Sequence, residues 1–393
     1  VITGCGAVTP CGAGVGPVVD AALAGRSALT TVRLDDGRNI GGGVADAQPL
    51  GGMDRTTALA VMAADEALAA VPAEIRPELG VIVGTGKPAM RLVERVHRDL
   101  REHGPGSIPA DFIQHALPSA PGDAIAQRFG CHGVRLALVG ACSTGLDCVA
   151  MAARLVRSGR CRAALAGSSE ASLTPLVVAA FERMGVLAVD SPEPRRAIRP
   201  FARDRCGFLV GEGAGVLLVE TLASAKARDA EVLAEVAGWA IVSDAHDPIT
   251  LARDGAGIAR AIGRALDAAG RAPDEIDHVN AHGTATRLND LVETCGIRAA
   301  LGKHARNVKV CSTKPVTGHL LSASGSVELI IALGAMRAGV APPTINLDEP
   351  DPALDLDTTA NVAVEHPIGH ALVLNYGFGA HVGAVILSRW AGR

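Results

Sequence analysis

Residues 135–159, RLALVGACSTGLDCVAMAARLVRSG, open on a short apolar run, pass through a turn of small residues and continue as an apolar stretch of helical period. A buried strand, a tight turn and a buried helix follow from that pattern. Residues 307–339, NVKVCSTKPVTGHLLSASGSVELIIALGAMRAG, repeat the order, and both stretches close on Arg-x-Gly. A second echo pairs GFLVGEGAGVLLVE (207–220) with YGFGAHVGAVILS (376–388), each a Gly-rich turn feeding a strand. Two similarities in the same order predict an internal duplication, with the join near 233–245 and the first copy enlarged by insertions. Short β-branched runs at 80–86, 163–170, 278–283 and 371–377 alternate with helical stretches such as 56–71. That alternation predicts an α/β protein with buried parallel strands. The Gly, Pro, Asp and Arg density of 31–55 and 190–206 predicts surface excursions.

Composition agrees with a large folded enzyme-sized chain. At 393 residues it exceeds the ~100–200 residues of a usual single core, so two cores or one duplicated architecture is expected. Aromatic residues make up only 2% of the chain, which leaves Ala, Val, Leu and Ile to fill the interior. The balance of 37 basic and 41 acidic residues, net −4, provides no basic field for a nucleic-acid backbone. Nine cysteines without a CxxC pair suit neither a disulfide framework nor structural zinc, and fit reduced thiols in a cytoplasm. The opening VITGCGAVTP lacks the marks of a signal peptide, and no uncharged apolar run approaches ~20 residues. A soluble cytoplasmic protein with no membrane partner is the expectation.

Cys142 lies where the strand of 135–142 gives way to a helix, so helix N–H groups and the positive dipole end can stabilise a thiolate and a developing oxyanion. The plain alternative is a small buried hydrophobe, the reading given to most of the other cysteines. His282 in VNAHGTATRLND and His319 in STKPVTGHLLSASG both follow strands and sit among Gly, Ser and Thr. Small polar surroundings with no carboxylate at metal-ligand spacing favour backbone-lined pockets over surface loops. Lys314 shares the turn of His319, and a chain with only five lysines does not place one in a motif often. A Cys, two His and a Lys at strand ends of both copies would meet in a cleft suited to acyl chemistry.

Taken together these segments resemble the elongating β-ketoacyl-acyl-carrier-protein synthases, the thiolase-fold condensing enzymes of fatty-acid and type II polyketide assembly. The likeness runs from VITGCGAVTPCG through RPFARDRCGFLVGEGAGVLLVE, VNAHGTATRLND, STKPVTGHLLSASGSVE and PPTINLDEPDP to LNYGFGAHVGAVIL. It implies duplicated βαβαβαββ halves, 1–235 with the nucleophile and 236–393 with the histidines and lysine, in a five-layer αβαβα sandwich. It implies decarboxylative Claisen condensation of malonyl-acyl carrier protein with an acyl chain on Cys142. His282 and His319 would hold the enolate, and Lys314 would orient them with Glu293 as its counter-charge, Asp290 standing nearby. Phe378 would supply an oxyanion N–H and gate the site, Thr284 and Thr286 would bind the phosphopantetheine arm, and Phe181 would line the tunnel. No cofactor or metal is implied.

Departures from the family pattern fall in the C-terminal loop, where Phe-Gly-Phe-Gly-Gly becomes Tyr376-Gly377-Phe378-Gly379-Ala380, followed by His381 and Val382. Ala380 predicts a stiffer gate. STGLD (143–147) and TRLND (286–290) resemble ketosynthase-alpha subunits of type II polyketide systems, whereas STKPVTGHLL resembles the fatty-acid elongating enzyme. The partners expected are acyl carrier protein and either a Cys-less chain-length-factor homologue or a second copy of the chain. Other readings are a catalytically silent scaffold subunit and an acyltransferase that passes its acyl group to an amine or alcohol.

Overall fold

The computed structural model describes residues 1–392 apart from 49, 88, 189–190, 192 and 248–249. Five strands of the first half form one sheet: β1 (Ile2–Thr9), β2 (Gly80–Gly84), β3 (Arg135–Leu136), β4 (Ala163–Glu170) and β5 (Gly213–Glu220), in the order β1-β5-β4-β2-β3, with Gly12–Ala13 added outside β1. Five later strands form a second: β6 (Glu235–Ser243), β7 (His278–Asn280), β8 (Lys309–Cys311), β9 (His370–Gly377) and β10 (His381–Ser388), in the order β6-β10-β9-β7-β8. Strand for strand the second sheet repeats the first. The pairings repeat too: β2 runs parallel to β3 and β4, and β7 to β8 and β9, while the other two pairs of each sheet are antiparallel. The sheets are therefore mixed, not wholly parallel. Helical crossovers join the parallel strands, and the Gly-rich turn at 378–380 folds β10 straight back on β9.

Helices α1 (Arg55–Ala67) and α2 (Ala120–Phe129) cover the outer face of the first sheet. Helix α3 (Thr144–Arg157) lies between the sheets. On the outside of the second sheet are α4 (Ala256–Ala269) and, packed beside it, α5 (Arg287–Leu301), and α6 (Ser324–Ala338) is the other central helix. The result is the five-layer αβαβα sandwich of the thiolase fold. Facing a sheet on both sides, α6 is apolar nearly all round, and so is α3 except toward its C-terminal end, where Arg154 and Arg157 reach out. Residues Leu321–Ala338 are long and apolar enough to cross a bilayer, yet 83% of that stretch is buried inside the protein. The central core draws Leu146, Val149, Ala164 and Leu217 from one half and Val327, Ile331, Val373 and Val385 from the other.

The two central helices touch backbone to backbone. A methyl group on Gly145 would come within 2.5 Å of Ser326 N, and one on Gly325 within 2.8 Å of Leu146 N. Each helix is preceded by a one-turn elbow, Ala141–Ser143 and Leu321–Ala323, and each elbow opens on a non-glycine residue of positive φ, Ala141 at 50° and Leu321 at 49°. L-residues adopt that conformation at a cost, which concentrates where the surrounding structure fixes it for a purpose.

Three expectations needed correction. The strand foreseen over 135–142 ends at Leu136, and residues 137–140 run irregularly into the elbow. The end strands β1 and β6 carried no pattern recognised in the sequence. The segment 190–206, whose residues 190 and 192 lie outside the described residues, is not wholly a surface excursion: Phe201 and Ala202 are buried against the second sheet's outer core.

Candidate active site

The first elbow presents Cys142 at the N-terminal end of α3, its side chain in the floor of a cavity of about 310 Å³. His282, Thr284 and Thr286 enter the same cavity from the segment after β7, His319 from the segment after β8, and Tyr376 and Phe378 from the end of β9. Phe181 and Phe208 complete an apolar wall: Phe181 stacks on Phe378 at 6.4 Å and meets Phe208 edge-on at 5.7 Å. Strand ends from both sheets thus converge on one thiol.

Each histidine is held by its backbone. His282 N and Gly283 N donate to the two oxygens of Glu293 at 2.7 and 2.8 Å. His319 N donates to Leu209 O and its carbonyl accepts from Gly211 N, both at 2.9 Å. The two rings stand 5.4 Å apart, nearly perpendicular. Leu321 N donates to Nδ1 of His319 at 3.3 Å, with Ser324 Oγ 3.0 Å from the same nitrogen. An N–H donor can be received only by an unprotonated nitrogen, so a neutral His319 carries its proton on Nε2.

Charge in the site follows from burial. It lowers both imidazoles well below the usual histidine range, and the Lys314 ammonium adds to the effect on each. Both rings are therefore neutral near pH 7 and offer N–H groups without a full positive charge. Burial pushes the Cys142 thiol up to about 11, with the ammonium groups of Lys87 and Lys314 pulling the other way. The resting sulfur is a thiol, where the helix N-terminus alone had suggested a thiolate.

Beta-ketoacyl synthase models match the chain in two parts, the N-terminal domain over residues 45–225 and the C-terminal domain over 233–348. The chain is 35% identical to 3-oxoacyl-[acyl-carrier-protein] synthase 2 of Synechocystis sp., covering 97% of this chain and 95% of that protein. It is 36% identical to the tetracenomycin polyketide synthase ketoacyl synthase alpha subunit of Streptomyces glaucescens, covering 99% and 96%. The chain belongs to the β-ketoacyl synthase family. It is a condensing enzyme, an acyltransferase of thiolase fold. Among solved structures, the ishigamide ketosynthase/chain length factor superposes with a TM-score of 0.92 at 30% identity, over 100% of this chain and 99% of the other. A type II polyketide synthase ketosynthase, bound to the hexaketide and in complex with its acyl-carrier protein, gives 0.92 at 29% identity, over 99% and 98%.

The ketosynthase site brings together Cys142, His282, His319, Thr284, Thr286, Phe181 and Phe378 around one cavity. Thr284 and Thr286 hydroxyls lie 3.1 Å apart. Lys314, Glu293 and Asp290 stand behind it. Lys314 is paired with Glu328, Nζ to Oε1 at 2.7 Å, and not with Glu293 as expected. The reason is geometric: both Glu293 oxygens are taken up by the His282–Gly283 backbone and the Tyr376 hydroxyl. Asp290 faces away from the pocket, accepting from Phe201 N at 2.9 Å with Arg205 Nε at 3.7 Å. It anchors the 201–205 segment. Glu212, in the Gly-rich turn before β5, binds Arg55 and the Ala45 backbone away from the cavity.

Sequence reading missed Glu328, Ser324, Asn375 and the partners of Tyr376. Glu328 had a signal: it is the one acidic residue in the apolar stretch 321–338. A lone carboxylate in a core helix calls for a buried cation. Asn375 Nδ2, from β9, donates to the other oxygen of Glu328 at 2.6 Å, so both carboxylate oxygens are held.

Proposed function

We propose that this enzyme extends an acyl chain carried on Cys142 by two carbons from a malonyl thioester, in type II polyketide assembly. The observation that carries the reading is the meeting of one thiol and two neutral imidazoles in an apolar cavity. In the first step the Cys142 sulfur adds to the thioester carbonyl of an acyl-carrier protein, and the C–S bond to the carrier breaks. The carrier thiolate leaves and takes up the proton that the Cys142 thiol gives up, while the Cys142 and Phe378 N–H groups hold the tetrahedral oxyanion. In the second step the malonyl C–C bond breaks and CO2 departs. The electron pair moves to the thioester oxygen, where the N–H groups of His282 and His319 receive it. The enolate carbon then attacks the Cys142 thioester, a C–C bond forms, the C–S bond breaks, and the Cys142 thiolate is reprotonated from water.

Burial, aided by Lys314, keeps the two rings neutral, so that they donate hydrogen bonds and retain no fixed charge against CO2 loss. Thr284 and Thr286 receive the phosphopantetheine arm at the mouth, and Phe181 with Phe378 shapes the acyl tunnel. The chemistry calls for no resident cofactor, because the substrates arrive on the carrier's own arm, and free cysteines suit a cytoplasmic enzyme.

STGLD and TRLND support the polyketide assignment, and so does the Streptomyces relative. Exposed Leu136 lies on the edge strand β3, Val134 and Val139 lie beside it, and Ile113 and Leu117 are also exposed. An open apolar edge of that kind suits a second thiolase-fold chain, which we assign as a Cys-less chain-length-factor homologue. STKPVTGHLL and the Synechocystis relative favour the second reading, a self-paired fatty-acid elongating enzyme.

The test is mass spectrometry of the enzyme after incubation with acyl-carrier substrates. Cys142→Ala should lose acyl loading and condensation, while Cys142→Gln retains malonyl decarboxylation. His282→Ala and His319→Ala should load Cys142 but release CO2 at least 100-fold more slowly. Condensation by the Ala variant, or equal loss of loading and decarboxylation in the histidine variants, sinks this division of roles.

A further inference from the structure

Tyr376 is the only tyrosine of the chain, and it stands where the family pattern has the first phenylalanine of the Gly-rich loop. Its ring meets His282 edge-on at 5.1 Å. Its hydroxyl donates to Glu293 Oε1 at 3.0 Å. The same oxygen accepts from His282 N, and the other accepts from Gly283 N, with Asn289 Nδ2 at 3.5 Å. Among the described residues four donors converge on this carboxyl, and only a carboxylate receives all four of their hydrogens without adding a fifth. Two residues beyond Tyr376 comes Phe378, about a third exposed and facing the cavity. One buried carboxylate therefore links the histidine that faces the substrate to the base of the loop that carries the gate.

Building on the condensing role proposed above, we infer that the Tyr376 hydroxyl is a positioning group, tying the base of the Phe378 loop to Glu293 and thereby fixing the His282 ring where the malonyl thioester carbonyl is received. The hydroxyl touches no substrate. It acts through Glu293: a carboxylate bonded on both oxygens holds the 282–283 backbone in one place, and the phenol ring buttresses the imidazole it adjoins. A phenylalanine would keep the ring contact and lose the tether.

Protonation of Glu293 would leave one of its donors without an acceptor and loosen the same backbone. Burial pushes Glu293 up to about 7, with the negative charge of Asp290 adding to the rise while the Gly283 and His282 N–H groups and Lys314 oppose it. The groups facing it are Asp290 and its neighbour Arg205 on the α5 side, His282 and Tyr376 on the cavity side, and Lys314, paired to Glu328, behind. Removing the phenol donor removes a bond to the ionised form, so the carboxyl titrates at higher pH.

Two measurements decide it. In the first, CO2 release from malonyl-pantetheine, which needs no carrier partner, is followed against pH for the wild type and Tyr376→Phe. The variant should be about tenfold slower at pH 7, with the acid limb of its profile displaced to higher pH and Cys142 loading less affected. Superimposable acid limbs would overturn the inference, as a purely structural defect lowers the rate without moving the limb. In the second, 3-fluorotyrosine is incorporated into the otherwise unaltered chain, giving a single fluorine resonance. That resonance should shift through a titration near pH 7 as Glu293 ionises, and a flat response between pH 5 and 9 would overturn the tether. If the wild type neither loads Cys142 nor decarboxylates malonyl-pantetheine, the condensing reading fails, and the fluorine titration still decides the tether.

Discussion

Burial has opposite uses at Cys142 and at the histidines. The imidazoles become dependable neutral donors, whereas the thiol is held protonated until a substrate arrives. Alkylation of Cys142 by iodoacetamide should therefore climb about tenfold per pH unit through pH 8–10 without a plateau, because the rate follows the thiolate fraction. Lys87, bonded to Glu170 at 3.2 Å, is the largest charge favouring the thiolate. Lys87→Met should slow alkylation at any fixed pH, and an unchanged rate would remove it from the site's electrostatics. Lys314 is a different case, a cation only 1% exposed and paired with Glu328. Removing one member of a buried pair costs about 3–5 kcal/mol, and removing both costs much less. Urea unfolding should show that loss for Lys314→Met and a partial recovery when Glu328→Met is added.

The central helices set the geometry between elements. A methyl on Gly325 would meet Leu146 N and Asn375 Oδ1, each at 2.8 Å, so Gly325→Ala should cost about 1–3 kcal/mol by overpacking. An unchanged urea midpoint would mean the helices can part freely. Asp147, in the first turn of α3, accepts from Ser143 Oγ at 2.8 Å, and burial lifts its carboxyl from 3.8 to about 7. Between those values the folded chain binds more protons than the unfolded one, so stability falls as pH rises through the window. Asp147→Asn should flatten that fall and be relatively more stable at pH 8 than at pH 5. Asp290, raised to about 6, and Glu293 contribute slopes of the same sign that remain. The sequence made these central helices readable because each is a long apolar run behind a small-residue turn. It hid β1 and β6, since ITGCGAVT and EVAGWAIVS mix small residues with apolar ones and show no clean alternation. At the site, chemistry-bearing residues in Gly-rich turns stood out. Pairings did not: whether Lys314 meets Glu293 or Glu328 depends on which neighbours have already filled each carboxylate, and spacing along the chain carries no such information.

At the scale of the molecule, a shared central core joins the two halves, so they should unfold together, and calorimetry should give one transition for the isolated chain. The exposed edge at β3 makes a lone monomer the least expected state. Light scattering of the chain expressed alone, with elongation assayed in parallel, separates the assignments: a soluble homodimer that elongates unaided would overturn the chain-length-factor pairing. The duplicated elbows carry one more consequence. Ser322 occupies in the second elbow the place that Cys142 holds in the first, and it is fully buried with its hydroxyl on Glu170 Oε2 at 2.7 Å and Ser169 O at 3.0 Å. The neighbouring Leu321 N–H is the donor that sets the tautomer of His319. One copy of the repeated turn serves as a nucleophile's mount and the other as a histidine's clamp, a division of labour between twins. Placing a thiol there by Ser322→Cys in a Cys142→Ala chain should yield no second reactive sulfur, because position 322 is closed off from the cavity that Cys142 faces.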